Sequence, residues 1–173
     1  MQLPTDYQSY IHKSRYARFI DSKGRREHWD ETVSRYFDFF EEQLEEHHDT
    51  KPSRMLRSEL EDAVLSLGVM PSMRALMTAG EALRRENIAG YNCSYLPIDR
   101  PKAFSEALYV LMCGTGVGFS VERQEISKLP TLPDHFDRTA FDIIVGDSKL
   151  GWAEAYHTLI TCLYAGTIPN VDY

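Results

Sequence analysis

With 173 residues the chain has room for one domain with a sizeable core or for two small ones, and its 43% hydrophobic and 26% charged residues are ordinary for a soluble globular protein. A formal net charge of −7 argues against a chain that grips nucleic acid through bulk electrostatics, yet leaves open a single nucleotide held by a few local donors. Apolar stretches such as 107–113 are far too short to cross a membrane, and Met1-Gln2-Leu3-Pro4 lacks the basic region and apolar run of a secretory signal.

Tyr7, Tyr10, Ile11, Tyr16, Phe19 and Ile20 recur at roughly helical spacing until Ser22-Lys23-Gly24 breaks the pattern. Trp29, Val33, Tyr36, Phe37, Phe40 and Leu44 mark one face of an amphipathic packing helix, with Asp30, Glu31, Asp38, Glu41 and Glu42 on the other faces. His47-His48 point in different directions on a helix, so they do not make a metal site. A second helix is expected after Ser53, with Met55, Leu56, Leu60, Val64 and Leu67 as its apolar positions and Gly68 as its left-handed stop. Val69-Met70-Pro71-Ser72 is extended, because the residue before proline is pushed out of the helical region. The helical pattern over 73–85 is interrupted at Thr78-Ala79-Gly80.

Residues 89–96 have the aromatic and short apolar content of a buried strand. Pro97-Ile98-Asp99-Arg100-Pro101 is a turn into a helix over 102–112, and a second strand follows the glycines at 114, 116 and 118. Strand, helix, strand predicts a crossover unit of an α/β sheet. Residues 129–138, with two prolines, read as a loop, and Phe141 to Val145 as a short strand. Asp147 or Ser148 caps a helix over 150–164 that Gly166 ends, and Ile168-Pro169 is turn-like. Too few strands are present to close a sheet, so the open edges are expected to need covering by further chain.

Three widely spaced cysteines, Cys93, Cys113 and Cys162, and the absence of any C-x-x-C pair point away from a disulfide framework and structural zinc. They fit a cytoplasmic protein with free thiols. Gly114-Thr115-Gly116-Val117-Gly118 follows a helix and precedes a strand, the reverse of a dinucleotide-binding fingerprint, and no Gly-Lys-Ser/Thr is present. From spacing alone it is a tight helix-to-strand connection. Cys93 would ordinarily be an inert buried thiol. Met70-Pro71-Ser72 could offer amides and a hydroxyl to an anion, and Asp99 and Asp147 read as turn and cap residues. Residue patterns therefore reach a mixed α/β chain with a possible nucleotide site.

In their order and spacing, the run from Met70 to Gly80, then Tyr91-Asn92-Cys93-Ser94-Tyr95, then Gly114 to Val121 resemble the large subunit of ribonucleotide reductases. Arg25 to Thr32 and Asp147 to Trp152 resemble the adenosylcobalamin-dependent class. The resemblance implies an N-terminal helical region over 1–68, followed over 69–173 by the first strands and helices of a ten-stranded α/β barrel, incomplete in this chain. It implies reduction of ribonucleotides to deoxyribonucleotides by a thiyl-radical mechanism, with Cys93 as the first cysteine of the reducing pair. Ser72, Asn92, Gly116 and Gly118 would line the substrate, and Asp99 and Asp147 would border a deoxynucleoside triphosphate effector. The family's Asn-x-Cys-x-Glu radical pattern and its second reducing cysteine do not occur here. The expected partners are thus a C-terminal reductase half, a ribonucleotide, the effector and a thioredoxin-like reductant, with adenosylcobalamin held mostly outside this chain. Neither a membrane nor nucleic acid is expected as a partner. The alternative is a nucleotide-binding or regulatory module that keeps the reductase fold without catalysis.

Overall fold

The computed structural model describes residues 3–173; Met1 and Gln2, on which part of the leader reading rests, lie outside them. The chain forms two units, divided between Gly90 and Tyr91. Residues 69–90, expected from the sequence to belong with the strands, pack in the first unit.

The first unit is mostly helical. Helix α1 (Asp6–Ile11) starts in a capping box, in which the Thr5 hydroxyl accepts from Gln8 N–H and the Gln8 side chain accepts from Thr5 N–H. A π-helical turn, His12–Tyr16, follows directly. The helical spacing read through Ile20 then fails: Phe19–Ile20 (β1) pairs antiparallel with Arg25–Arg26 (β2) around Gly24, whose φ of 59° glycine adopts without strain. Helix α2 (Trp29–His48) buries Trp29, Thr32, Val33 and Phe39, close to the predicted stripe. Helix α3 (Arg54–Leu65) is capped by Ser53, whose hydroxyl accepts from Leu56 N–H. Its stop is not Gly68; the left-handed residue is Leu67, at φ 63°. Leu67 also packs against the core of Trp29, Val33, Val64 and Leu76, and that contact offsets the strain. Helices α4 (Met73–Thr78) and α5 (Glu81–Arg85) are separated at Gly80, where φ 96° and ψ −138° suit only glycine.

A buried polar network ties this unit together. Glu27 and His12 are only 5% and 4% exposed. The Glu27 carboxylate accepts from Arg35 Nε at 2.7 Å, from Arg18 N–H at 3.0 Å and from the Thr32 hydroxyl at 2.8 Å. With its proton engaged in the hydrogen bond to Glu27, the Thr32 hydroxyl accepts from His12 Nε2 at 2.9 Å, which leaves Nδ1 of a neutral imidazole unprotonated. The Arg35 guanidinium also donates to the carbonyls of Tyr16, Leu76 and Ala79. Burial tends to raise the Glu27 pKa, but hydrogen bonds from Arg35, Arg18 N–H and Thr32 hold it below the usual range. Burial, aided by Lys13, lowers His12 to about 4 against the opposing pull of Glu27.

The second unit holds two strand–helix–strand crossovers. Strand β3 (Cys93–Pro97), helix α6 (Lys102–Met112) and strand β4 (Gly116–Ser120) form the first, with β3 and β4 parallel. After the short α7 (Arg123–Ile126), strand β5 (Asp137–Ile144), helix α8 (Lys149–Tyr164) and strand β6 (Thr167–Asp172) form the second, also parallel. Helices α6 and α8 pack together. Here the sequence reading needs three corrections. Residues 89–92 precede the strand, and Ala89 lies in a 3₁₀ turn. The expected loop over 129–138 gives way to β5 at Asp137. Ile168-Pro169 is strand, not turn; Pro169 falls within the register shift between Arg138 and Asp142, where its missing N–H breaks no ladder bond. The architecture is thus mixed α/β, built among the described residues from two-stranded sheets. No helix of the described residues is long and apolar enough to cross a membrane.

Candidate functional site

The parallel pairing of β3 and β4 sets Cys93 opposite Gly116, Ser94 opposite Val117 and Tyr95 opposite Gly118. Side chains alternate along each strand, so Cys93, Tyr95, Gly116 and Gly118 share one face. Helix α6 packs on both strands. Ser94, Leu96 and Val117 are half-buried while Cys93, Tyr95, Gly116 and Gly118 are exposed, which places the helix on the opposite side. Cys93 was expected to be buried; the alternation turns it outward instead, and its thiol is free and accessible.

Three hydrogen bonds hold the register beside the thiol. Gly116 N–H donates to Asn92 O at 2.9 Å, the Ser94 hydroxyl to Gly116 O at 3.2 Å, and the buried Thr115 hydroxyl to Tyr91 O at 2.9 Å. The Gly-x-Gly-x-Gly run therefore does more than connect a helix to a strand. Gly114, at φ 87°, makes the turn, and Thr115 latches it to the residues just before Cys93. Nothing in the spacing marked Thr115.

Of the predicted site residues, Asn92, Cys93, Gly116 and Gly118 come together on this strand pair. Ser72 lies in the first unit as the exposed N-cap of α4, its side chain making no cap hydrogen bond. Half-buried Asp99 follows β3 and accepts from Arg100 at 2.8 Å. Lys128 donates to Glu125 at 2.6 Å, which raises it above the usual lysine range. Asp147 is exposed and precedes α8, and Ser148 is the residue that caps that helix, its hydroxyl accepting from Gly151 N–H. The remaining thiols are apart from the Cys93 pair: Cys113 is buried, 3.6 Å from Lys149 Nζ, and Cys162 is half-buried on α8.

Among the described residues no group of His, Cys, Asp and Glu could hold a metal ion. A hollow of about 320 Å³ in the first unit is walled by Tyr7, Ile11, His12, Tyr16 and Trp29, and takes no lining residue from the strand pair.

No protein-family model matches the chain. Curated relatives do. The adenosylcobalamin-dependent ribonucleoside-triphosphate reductase of Lactobacillus delbrueckii subsp. bulgaricus is 30% identical in an alignment covering 80% of this chain and 22% of the relative. The enzyme of the same name from Lactobacillus leichmannii is 31% identical, over 69% of this chain and 20% of the relative. The chain thus spans about a fifth of the length of these relatives. In fold it resembles the crystal structure of a B-12-dependent (class II) ribonucleotide reductase, with a TM-score of 0.74 and 24% identity over 95% of this chain and 32% of that one. Over 80% of its length, this chain is a homologue of the adenosylcobalamin-dependent ribonucleotide reductases.

Proposed function

We propose that this chain is the N-terminal part of a ribonucleotide reductase, with Cys93 as one of the two thiols that reduce the substrate. The observation that carries this is the exposed Cys93 thiol on a parallel strand pair, opposite a glycine, in a chain whose relatives are reductases. In the proposed reaction a thiyl radical from the rest of the enzyme removes the ribose 3′ hydrogen. The 2′ hydroxyl then leaves as water. Cys93 and a second cysteine give up two hydrogens between them, one leaving in the water and one going to the 2′ carbon, and close to a disulfide; the thiol that took the 3′ hydrogen then gives it back and is a thiyl radical again. A thioredoxin-like dithiol would reopen that disulfide.

Asn92, Gly116 and Gly118 would line the ribonucleotide beside the thiol, and Ser72 would meet its phosphates. Asp99 and Asp147 would face a deoxynucleoside triphosphate effector. The strands are proposed as the first of a ten-stranded barrel, following a helical region over 1–68, with the rest coming from a C-terminal half. Adenosylcobalamin, named for the relatives, supplies the radical when bound. The resemblance places most of its contacts outside this chain, and the hollow beside Trp29 takes no lining residue from the Cys93 strand pair. Its contacts are therefore assigned to the remainder of the enzyme.

The test is complementation. The chain is combined with a C-terminal reductase half carrying the Asn-x-Cys-x-Glu pattern, and deoxynucleotide formation is followed with adenosylcobalamin and a ribonucleoside triphosphate. Turnover that Cys93→Ser abolishes, in a complex that still assembles, is the expected result. A verified, folded complex without turnover overturns the proposal, and turnover unchanged in Cys93→Ser removes Cys93 from it.

A further inference from the structure

Glycine at 116 and 118 is not required by the backbone. Neither residue has a positive φ. A Cβ would make only ordinary contacts, at nearest 3.5 Å from Asn92 O for 116 and 3.7 Å from Ser94 O for 118. Glycine weakens a strand through its entropy, so two of them on one face call for a reason outside the fold of this unit. What they provide is open space over β4 on the side that carries Cys93.

At 118 the neighbouring strand already uses part of that space. Tyr95 Cδ2 lies 3.8 Å from where a Gly118 Cβ would stand, so the ring rests against the glycine, as aromatics do when they cover a glycine across strands. The ring's other side is open, and Tyr95 is 66% exposed. Tyr95 stands two residues along β3 from Cys93 and on the same face, about 7 Å away at the usual strand rise. The ring is thus within reach of a molecule whose reacting carbon meets Cys93.

We propose that the open face of Tyr95 is a stacking platform for the base of the nucleotide whose ribose lies against Cys93, a role that rests on the reductase reading above. A ring already backed by the strand loses little freedom when a planar heterocycle stacks on it, and any base has a π face to offer. The clear floor at Gly116 lets the ribose approach the thiol, and the covered floor at Gly118 supports the ring that receives the base.

The experiment follows alkylation of Cys93 by iodoacetamide in the full chain, alone and with its complementing half, read by mass spectrometry of the Cys93 peptide. Cytidine triphosphate is the probe, with ribose 5-phosphate plus inorganic triphosphate as the control lacking a base. The nucleotide is expected to slow Cys93 alkylation severalfold where the control does not. Tyr95→Phe retains this protection and Tyr95→Ala loses it. Protection that persists in Tyr95→Ala, protection by the control equal to that by the nucleotide, or no protection in the unmodified chain each overturns the proposal. Failure of the reductase reading shows separately, as absent deoxynucleotide formation in the complemented complex whatever the alkylation result.

Discussion

Cys93 and Gly116 are partners across two parallel strands, and a methyl group on Gly116 would come to lie 3.8 Å from the Cys93 Sγ. That is ordinary van der Waals separation, so alanine fits at 116, whereas a branched side chain reaches over the thiol. Gly116→Ala should leave Cys93 alkylation nearly unchanged and raise stability by roughly 0.4–1 kcal/mol, because the unfolded chain loses freedom. Gly116→Val should slow alkylation of Cys93 severalfold without slowing that of Cys162. Rates mapped peptide by peptide decide this, and equal Cys93 rates in Gly116→Val and the parent would show that the residue does not border the thiol.

The Glu27–Arg35 pair predicts a large loss of stability on truncation. Glu27→Ala leaves the Arg35 guanidinium largely buried without its counter-charge, which costs about 3–5 kcal/mol in comparable sites. Glu27→Gln, which keeps an acceptor for Thr32 and Arg18 N–H, should cost less. Urea unfolding followed by the signal of the first unit measures both. The carboxylate's depressed pKa makes its stabilisation fully present above the unfolded glutamate value of about 4.3, and lost as pH falls through the lower folded value.

His12 acts at higher pH. Its folded pKa of about 4 lies below the ordinary histidine value of 6.5, so between those two values the unfolded chain binds the extra proton. Stability is therefore fully present above 6.5 and declines as pH falls toward 4, by at most about 3.5 kcal/mol at 1.36 kcal/mol per unit. Replacing the imidazole, as in His12→Asn, should flatten the slope of unfolding free energy between pH 6.5 and 5. A slope equal to that of the parent would mean that His12 is protonated in the folded state.

In the second unit, Gly151 approaches the backbone of Gly146 so closely that a Cβ there would collide with main-chain atoms. Because the obstacle is backbone and not a flexible side chain, Gly151→Ala must displace the start of α8 from the Ser148 cap. A loss of about 1–3 kcal/mol is expected, read as a lower melting temperature. Ser148→Ala, which removes only the cap, should cost about 1 kcal/mol.

Where a segment's conformation is set locally, the sequence was readable. Trp29 and Val33 of the predicted stripe are buried, the second helix begins after Ser53 and Ser148 caps α8, as periodicity and capping chemistry put them, while Phe39 is buried in place of the exposed Leu44. Misreadings occurred where tertiary packing overrides local preference. Leu67 takes the left-handed position beside an available Gly68 because its side chain is packed in the core. Pro169 passes for a turn residue until a register shift accommodates it in a strand. At the candidate site the order of the motif blocks pointed to Cys93, Gly116 and Gly118, which the strand pairing sets on one face. Which face the thiol occupies, and that Tyr95 shares it, depends on strand register, which only the pairing partner defines. Thr115 was invisible for the same reason, since its acceptor, Tyr91 O, is 24 residues away.

Arg35 gives the first unit its mode of failure. One guanidinium donates to main-chain oxygens at Tyr16, Leu76 and Ala79 while paired with Glu27, so it joins stretches of chain some sixty residues apart. Neither the π-helical turn nor the α4 segment can open on its own without stranding donors of a charged group. Amide hydrogen exchange in these two segments should therefore proceed through one shared opening, with matching free energies, and not by independent fraying.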